Sequence, residues 1–404
     1  MKILFIHQNF PGQYRGLAPA MIAAGHEVLA LSTRKESTVG GVRNISYEVR
    51  RPNGKNVHPW LISTETAMIR GEAVAKVVEN LSKQGWTPDV VVGHTGWGEM
   101  MFIRQVLPKA RIIGFCEYWY LGEGSDVNFD KEFPSSEDTA FRCHTRNMHL
   151  AMSLLNCDYG VSPTEWQASL FPEQFRSKLK IVHDGIETDK LIPKDDDSIN
   201  LMRDGFVGKK GDEIVTFINR NLEPMRGYHQ FMRALPEIME RRPNAHVVIV
   251  GGDRVSYGAP APGGGGYKNI FLNEVADKLD VSRLHFVRQV PYSVLISLLR
   301  VSAAHVYFTY PFVLSWSMLE AMSVEALVIG SDTPPVRDAI EHGKNGLLVD
   351  FFSPKQLADS VCDVLAHPDD YRAMRRAARQ TIQERFDFKT VCLPQHEKLM
   401  QGTF

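Results

Sequence analysis

The chain has 404 residues, 44% of them apolar and 23% charged, with 46 Lys and Arg against 47 Asp and Glu and a formal net charge of -1. That length predicts two domains whose cores need neither disulfides nor metals, and the charge balance argues against a dedicated nucleic-acid binder, which carries a basic stripe. The five cysteines, Cys116, Cys143, Cys157, Cys362 and Cys392, include no pair at C-x-x-C spacing, which argues against a disulfide framework or a zinc site and fits reduced thiols in a cytoplasm.

The opening apolar run stops at polar His7-Gln8-Asn9, too short for a signal peptide or a membrane span, and no other stretch reaches 18 apolar residues. The chain is therefore expected to be soluble, or peripheral on a membrane at most. Residues 3–7 read as a buried parallel strand, 8–14 as a loop, 17–24 as a helix ended by Gly25, and 27–32 as the next strand. A longer helix is expected over 66–83, with strands at 89–92 and 111–115. The β-α-β rhythm predicts a doubly wound parallel sheet. It restarts with a strand at 214–218, a helix at 228–241 and strands at 246–250, 284–287, 305–309 and 327–330. Two such units predict two domains with a cleft between them, ligands binding at the carboxyl ends of the strands. The polar stretch 193–212 reads as the boundary, and residues 256–267, with glycine at every position from 263 to 266, as a mobile loop.

Four segments at strand ends carry candidate chemistry. In Asn9-Phe10-Pro11-Gly12-Gln13-Tyr14, Gly12 lets backbone approach a ligand beside helix-start amides, which suit a phosphate. A plain strand-to-helix turn explains the same residues, and no G-x-G-x-x-G marks a nicotinamide dinucleotide site. His94 stands just past a buried strand, ahead of the turn residues Gly96 and Gly98. An imidazole there can contact a substrate hydroxyl or shuttle a proton, or simply hydrogen-bond a neighbouring loop. In the segment that opens Asn219-Arg220-Asn221 and closes Arg226-Gly227, two arginines lie six apart in a loop between strand and helix. Planar guanidinium forks fit phosphate oxygens and neutralise a departing diphosphate; two solvated arginines are the plain alternative. Finally, a turn at Pro311 leads into a helix near Ser315, whose start at Leu314, Ser315 and Trp316 would present amides to the cleft. Glu320 in that helix can accept hydrogen bonds from sugar hydroxyls, or stand as a caged carboxylate.

Three further features are discounted. The Asp-x-Asp of Asp195 and Asp197 reads as a solvated linker rather than a metal site. Arg372, Arg375, Arg376 and Arg379 read as a solvated helix face rather than a lipid-headgroup patch. Tyr118, Trp119 and Tyr120 suit sugar stacking and core packing equally.

With these residues in hand, the chain resembles the retaining glycosyltransferases of family four, of GT-B architecture, over nearly its whole length and most strongly from 214 to 358. The opening strand with its glycine loop at Gly12 is similar to that family's start. Asn219-Arg220 through Arg226-Gly227 looks like its Arg-to-Lys diphosphate motif, with Arg226 where Lys is usual. Leu319-Glu320-Ala321-Met322, then Val328 to Asp332, look like its donor signature, and Asn345-Gly346-Leu347-Leu348-Val349 is a further match.

The resemblance implies two facing Rossmann-like domains. Residues 1–190 would bind the acceptor and 191–385 the donor, and a terminal helix in 386–404 would cross back to the first domain. It implies transfer from a UDP- or GDP-linked sugar to a hydroxyl acceptor (a glycan, a lipid-linked glycan or a small molecule) with retention of configuration and without metal or cofactor. Arg220 and Arg226 would hold the diphosphate, with Asn219, Leu314, Ser315 and Trp316 alongside. Glu320 would bind the ribose, Gly12 would border the phosphates, and His94 would sit near the donor sugar and the acceptor. A cytoplasmic enzyme is implied, with the inner face of a membrane left open as its station. One departure concerns a second glutamate that the family carries eight positions before Glu320. Counting back gives Phe312, and aligning on Pro311-Phe312 gives Tyr310; neither is acidic, which leaves the donor sugar open. A non-catalytic nucleotide-sugar-binding scaffold and an epimerase of the same architecture are the rival readings.

Overall fold

In the first half of the chain short runs of branched apolar residues bounded by polar turns make buried inner strands, more exposed strands form the edges, and all pair in parallel. They are β1 (Lys2–Ile6), β2 (Glu27–Ser32), β3 (Arg43–Ser46), β4 (Val90–His94), β5 (Arg111–Phe115), β6 (Tyr159–Ser162) and β7 (Leu179–Ile181). Their order is β3-β2-β1-β4-β5-β6-β7. Ile3 in β1 stands opposite Val28 on one side and Val90 on the other, and Ile3, Leu4, Phe5 and Ile6 are all fully buried, as a central strand covered on both faces requires. The computed structural model describes residues 1–36, 39–201 and 205–404.

The second half builds an antiparallel pair, β8 (Ser198–Leu201) with β9 (Phe206–Lys209), and then a six-stranded parallel sheet. The sheet comprises β10 (Ile214–Asn221), β11 (His246–Gly252), β12 (Leu284–Val287), β13 (Ala304–Tyr307), β14 (Val328–Ser331) and β15 (Leu347–Val349). Its order is β12-β11-β10-β13-β14-β15. Both sheets are doubly wound, the Rossmann-like class that the rhythm predicts. Among the described residues no helix is long and apolar enough to cross a membrane.

The chain divides into Met1–Gly185 with Phe388–Phe404, and Ile186–Asp387. The boundary thus falls ahead of the polar stretch 193–212, which belongs to the second unit. Its hairpin buries Ile199 and Leu201 in that unit's core, because alternate side chains of a strand point to one face. Asp197 is not solvated either: its carboxylate lies 3.1 Å from Arg300 Nη1, and both side chains are largely buried. Nor is the arginine run of the helix Arg372–Arg385 merely a wet face. Arg375 Nη2 donates to Ala303 O at 2.7 Å, and Arg379 donates to Leu191 O and Thr188 O. The returning terminal segment buries Leu399 and Met400 in the first unit's core.

Several histidines are sealed in these cores. Burial pushes His183 and His305 down to about 3 and His396 to about 4. In each case the unfolded chain binds the proton more readily, so stability is full above about pH 6.5 and falls as pH drops towards 4. His305 accepts or donates to Thr216 Oγ1 at 2.8 Å inside the second unit. Urea unfolding between pH 7 and 4.5 is expected to show a falling midpoint. A His305→Gln variant should remove about 1.4 kcal/mol per pH unit from the second unit's slope. An unchanged slope would show that His305 titrates normally in the folded protein.

Candidate functional site

A sheet that is wound both ways has one place where neighbouring strands send their connections in opposite directions, and there the loops part to leave a crevice. In the second unit that place lies between β10 and β13, in the first between β1 and β4. The candidate residues lie at or beyond the carboxyl ends of these strands: His94 is the last residue of β4, Asn219 and Arg220 fall within the end of β10 rather than in a loop, and the others follow β1, β10 and β13.

After β10 the chain turns through a short 3-10 helix, Pro224–Arg226, and Gly227 then starts the helix Tyr228–Arg241. Gly227 has φ +67, and a Cβ there would meet Phe308 Cβ at 2.4 Å, so only glycine allows the approach of this turn to the end of β13. The turn carries the Arg226 side chain inward until the residue is 6% exposed. Its Nη1 donates to Thr309 Oγ1 at 2.9 Å, Val313 O at 3.0 Å and Tyr307 Oη at 3.5 Å. The rings of Tyr257 and Phe312 stand 5.1 and 5.9 Å from its guanidinium carbon. All these partners are neutral, and among the described residues no carboxylate pairs with Arg226. A buried cation without a counter-ion is costly, and it leaves a strong place for an anion.

The other predicted residues of this unit take different stations. Arg220 is exposed and has no ion-pair partner among the described residues. Asn219 is half-buried, and its Nδ2 makes no hydrogen bond. Ser315 caps the helix Trp316–Ser323 by accepting from Ser317 N, and its own amide donates to Tyr307 Oη at 2.8 Å. Leu314, Ser315 and Trp316 are half-buried. Glu320, 3% exposed, accepts from Tyr292 Oη at 2.8 Å. Tyr310 packs edge-on against Phe351, whereas Phe312 packs against Tyr257.

In the first unit the crevice holds a chain of polar side chains. His94, 2% exposed, stacks on Trp97 at 3.9 Å. Its Nδ1 accepts from Gly96 N at 2.9 Å, so the neutral ring carries its proton on Nε2, which faces Glu117 Oε2 at 3.5 Å. His7 repeats the device: Nδ1 accepts from Asn9 N at 3.0 Å, leaving Nε2–H for Gln13 Oε1 at 2.9 Å. Gln13 Nε2 in turn donates to Glu117 Oε1 at 3.3 Å. Burial would raise the Glu117 carboxyl, but His94, His7 and Gln13 together outweigh it and hold the group below its usual range. Burial, with the charge of His94 added, pushes His7 down to about 3. Gly12 has φ +49, and its missing Cβ would fall 2.3 Å from His7 Nε2. The space that Gly12 leaves is thus filled by an imidazole.

Sequence reasoning missed Glu117, His7 and Gln13 here, and Glu223 and Tyr257 in the second unit. Glu117 stands two residues past the strand at 111–115, as His94 stands two past the strand expected at 89–92, and that was its one available signal.

Residues 24–191 match the model of the glycosyl transferase family 4 group, and residues 202–381 that of the glycosyl transferases group 1. The chain is similar to spore coat protein SA of Bacillus subtilis (strain 168), 26% identical over 231 residues that make up 55% of this chain and 58% of that protein. It is also similar to the D-inositol 3-phosphate glycosyltransferase of Corynebacterium jeikeium (strain K411), 26% identical over 194 residues, 47% of this chain and 44% of the other. The chain spans about half the length of these curated relatives. Among solved structures, the sucrose-phosphate synthase of Thermosynechococcus elongatus has a TM-score of 0.71 at 18% identity, covering 99% of this chain and 98% of that one, a likeness of fold.

The hydrogen-bond chain of the first unit is checked by imidazole nitrogen NMR. His7 is expected as the Nε2–H tautomer at neutral pH and not to titrate between pH 8 and 5. A His7 that protonates near 6.5 would break the assignment.

Proposed function

This chain belongs to the family 4 glycosyltransferases, and from that membership we propose that it moves a sugar from a nucleotide-sugar donor to a hydroxyl acceptor with retention of anomeric configuration. The observation that carries the proposal is the buried Arg226 guanidinium at the switch point of the second unit, hydrogen-bonded only to neutral groups. A diphosphate supplies the missing counter-charge, and a desolvated guanidinium binds it far more strongly than one in water.

In this reading Arg226 grips the diphosphate from within, and exposed Arg220 adds a second cation. Asn219 offers its unpaired amide. The helix start at Leu314, Ser315 and Trp316 lines the donor site, and Glu320 accepts from the ribose hydroxyls. The donor is a UDP- or GDP-linked sugar, and the residues named supply the cationic charge without a metal. Gly12 and His94, at the first unit's switch point, serve the reacting end, where His94 Nε2–H can donate to an oxygen of the sugar or acceptor. The acceptor is a glycan, a lipid-linked glycan or a small molecule.

The chemistry is a same-face substitution. The bond from the anomeric carbon to the phosphate oxygen breaks as the bond to the acceptor oxygen forms. The departing phosphate oxygen takes the acceptor's proton, giving a glycoside and a nucleoside diphosphate. The protein positions the partners and stabilises the charge growing on the diphosphate. The five cysteines are buried and form no disulfide among the described residues, which suits a reducing compartment. We therefore read the reaction as cytoplasmic, at the inner membrane face where the acceptor is lipid-linked.

Thermal unfolding against UDP, GDP and their sugar conjugates, in the presence of a chelator, tests this reading. One nucleotide series is expected to stabilise the protein by about 2.7 kcal/mol at a hundredfold excess over Kd. Arg226→Ala should abolish that shift and lower turnover by roughly 10²–10³-fold, and Arg220→Ala should weaken both less. No shift with any nucleotide, or an Arg226→Ala protein that binds normally, would sink the proposal.

A further inference from the structure

Glu223 is 1% exposed, yet among the described residues no cation pairs with it. Its charge is met by backbone instead. Ser256 N donates to both carboxylate oxygens at 3.2 Å, and Tyr257 N and Gly258 N donate to Oε2 at 3.2 Å. Three successive amides converging on one anion form a nest, and here the anion is the protein's own side chain. A second tie runs from Asn221 Nδ2 to Ser256 Oγ at 2.6 Å. The start of the glycine-rich loop, expected to be mobile, is therefore anchored.

The anchor has a position that matters. Glu223 immediately precedes the turn that carries Arg226, and its main-chain oxygen accepts from Arg226 N at 3.1 Å. Its main chain thus shapes the turn under the guanidinium, while its side chain fixes the loop above it. The residue held between the anchored amides is Tyr257, whose ring stands 5.1 Å from the guanidinium carbon and 4.9 Å from the Phe312 ring.

We propose that Glu223 is a positioning residue for the donor site, holding the Tyr257 ring as a wall over Arg226 so that the diphosphate bound there is shielded from water. This rests on Arg226 being the diphosphate ligand. The ring contributes cation–π attraction and excludes solvent from the ion pair, and both strengthen anion binding.

The test is calorimetric titration of UDP, GDP and pyrophosphate into wild type, Glu223→Ala, Tyr257→Ala and the double variant. Each single change is expected to raise Kd about tenfold, the order of one desolvated cation–π contact. The double variant should be no weaker than the weaker single, because Glu223 acts through Tyr257. Tyr257→Phe, which keeps the ring, should regain most of the loss. If Glu223→Ala does not fold, Asn221→Ala loosens the same loop and should show the same non-additivity with Tyr257→Ala. Additive losses, or a Tyr257→Ala protein that binds as wild type does, overturn the inference alone. A wild type that binds none of the three probes overturns the functional reading and the inference with it.

Discussion

Both units are governed by one constraint: a parallel sheet grown outward in two directions from a central strand must part its loops at one pair of strands. In the first unit β1 and β4 are that pair, and in the second β10 and β13 are. Because every strand of each sheet runs the same way, all the carboxyl ends lie along one edge, and the parted loops deliver their side chains into one crevice. His7, Gly12 and His94 reach their positions for this reason, and so do Arg226, Thr309 and Phe312. The packed strands beneath are rigid, with Ile3 to Ile6 and Val247 to Ile249 fully buried, so the loops are displayed on a fixed platform.

The two units meet the charges of their partly or fully buried groups in different ways. Glu117 is held ionised by imidazole and amide donors, and Glu223 by three backbone amides. Asp197 and Arg300 neutralise each other. Arg226 alone among these receives only hydroxyls, a carbonyl and two ring faces. Desolvating a cation without an anion costs stability, and such a cost is tolerated where a ligand later supplies the partner. Arg375 and Arg379 are also partly buried and also donate to neutral carbonyls; what sets Arg226 apart is its place at the switch point, beside the end of β13.

How far the sequence could be read follows from which interactions are local. Strands such as β1, β2 and β5 are contiguous apolar runs, so their periodicity is visible, and the two-sheet class follows from their alternation with helices. Gly227 and Arg226 were legible because a strand, a turn and a helix succeed one another within a few residues. By contrast Glu223 meets amides 33 to 35 positions away, and Glu117 meets Gln13 across 104; no local pattern announces either. Asp197 looked like a solvated acid because its run is polar, while its partner Arg300 lies 103 positions on. Gly12 shows the converse limit. The glycine was visible, but the group that needs its space is His7, five residues earlier in the chain and folded back by the turn.

The aromatic residues beside Arg226 bear on one of the places where the chain departs from the family it belongs to. Whichever alignment is used, the position expected to be acidic is Tyr310 or Phe312, and Phe312 is the one that faces the guanidinium, at 5.9 Å from ring to carbon. A carboxylate at that distance would attract the cation by about 3 kcal/mol at an effective dielectric of 20, and would repel an incoming diphosphate on the same scale. A phenyl ring exerts neither effect, and with Tyr257 it forms an apolar wall that keeps the guanidinium dry. The site therefore gives up a hydrogen-bond acceptor for sugar hydroxyls and gains a cation with its charge undiminished. At this position the chain therefore offers the ring faces of Phe312 and Tyr257 where a carboxylate would offer an acceptor.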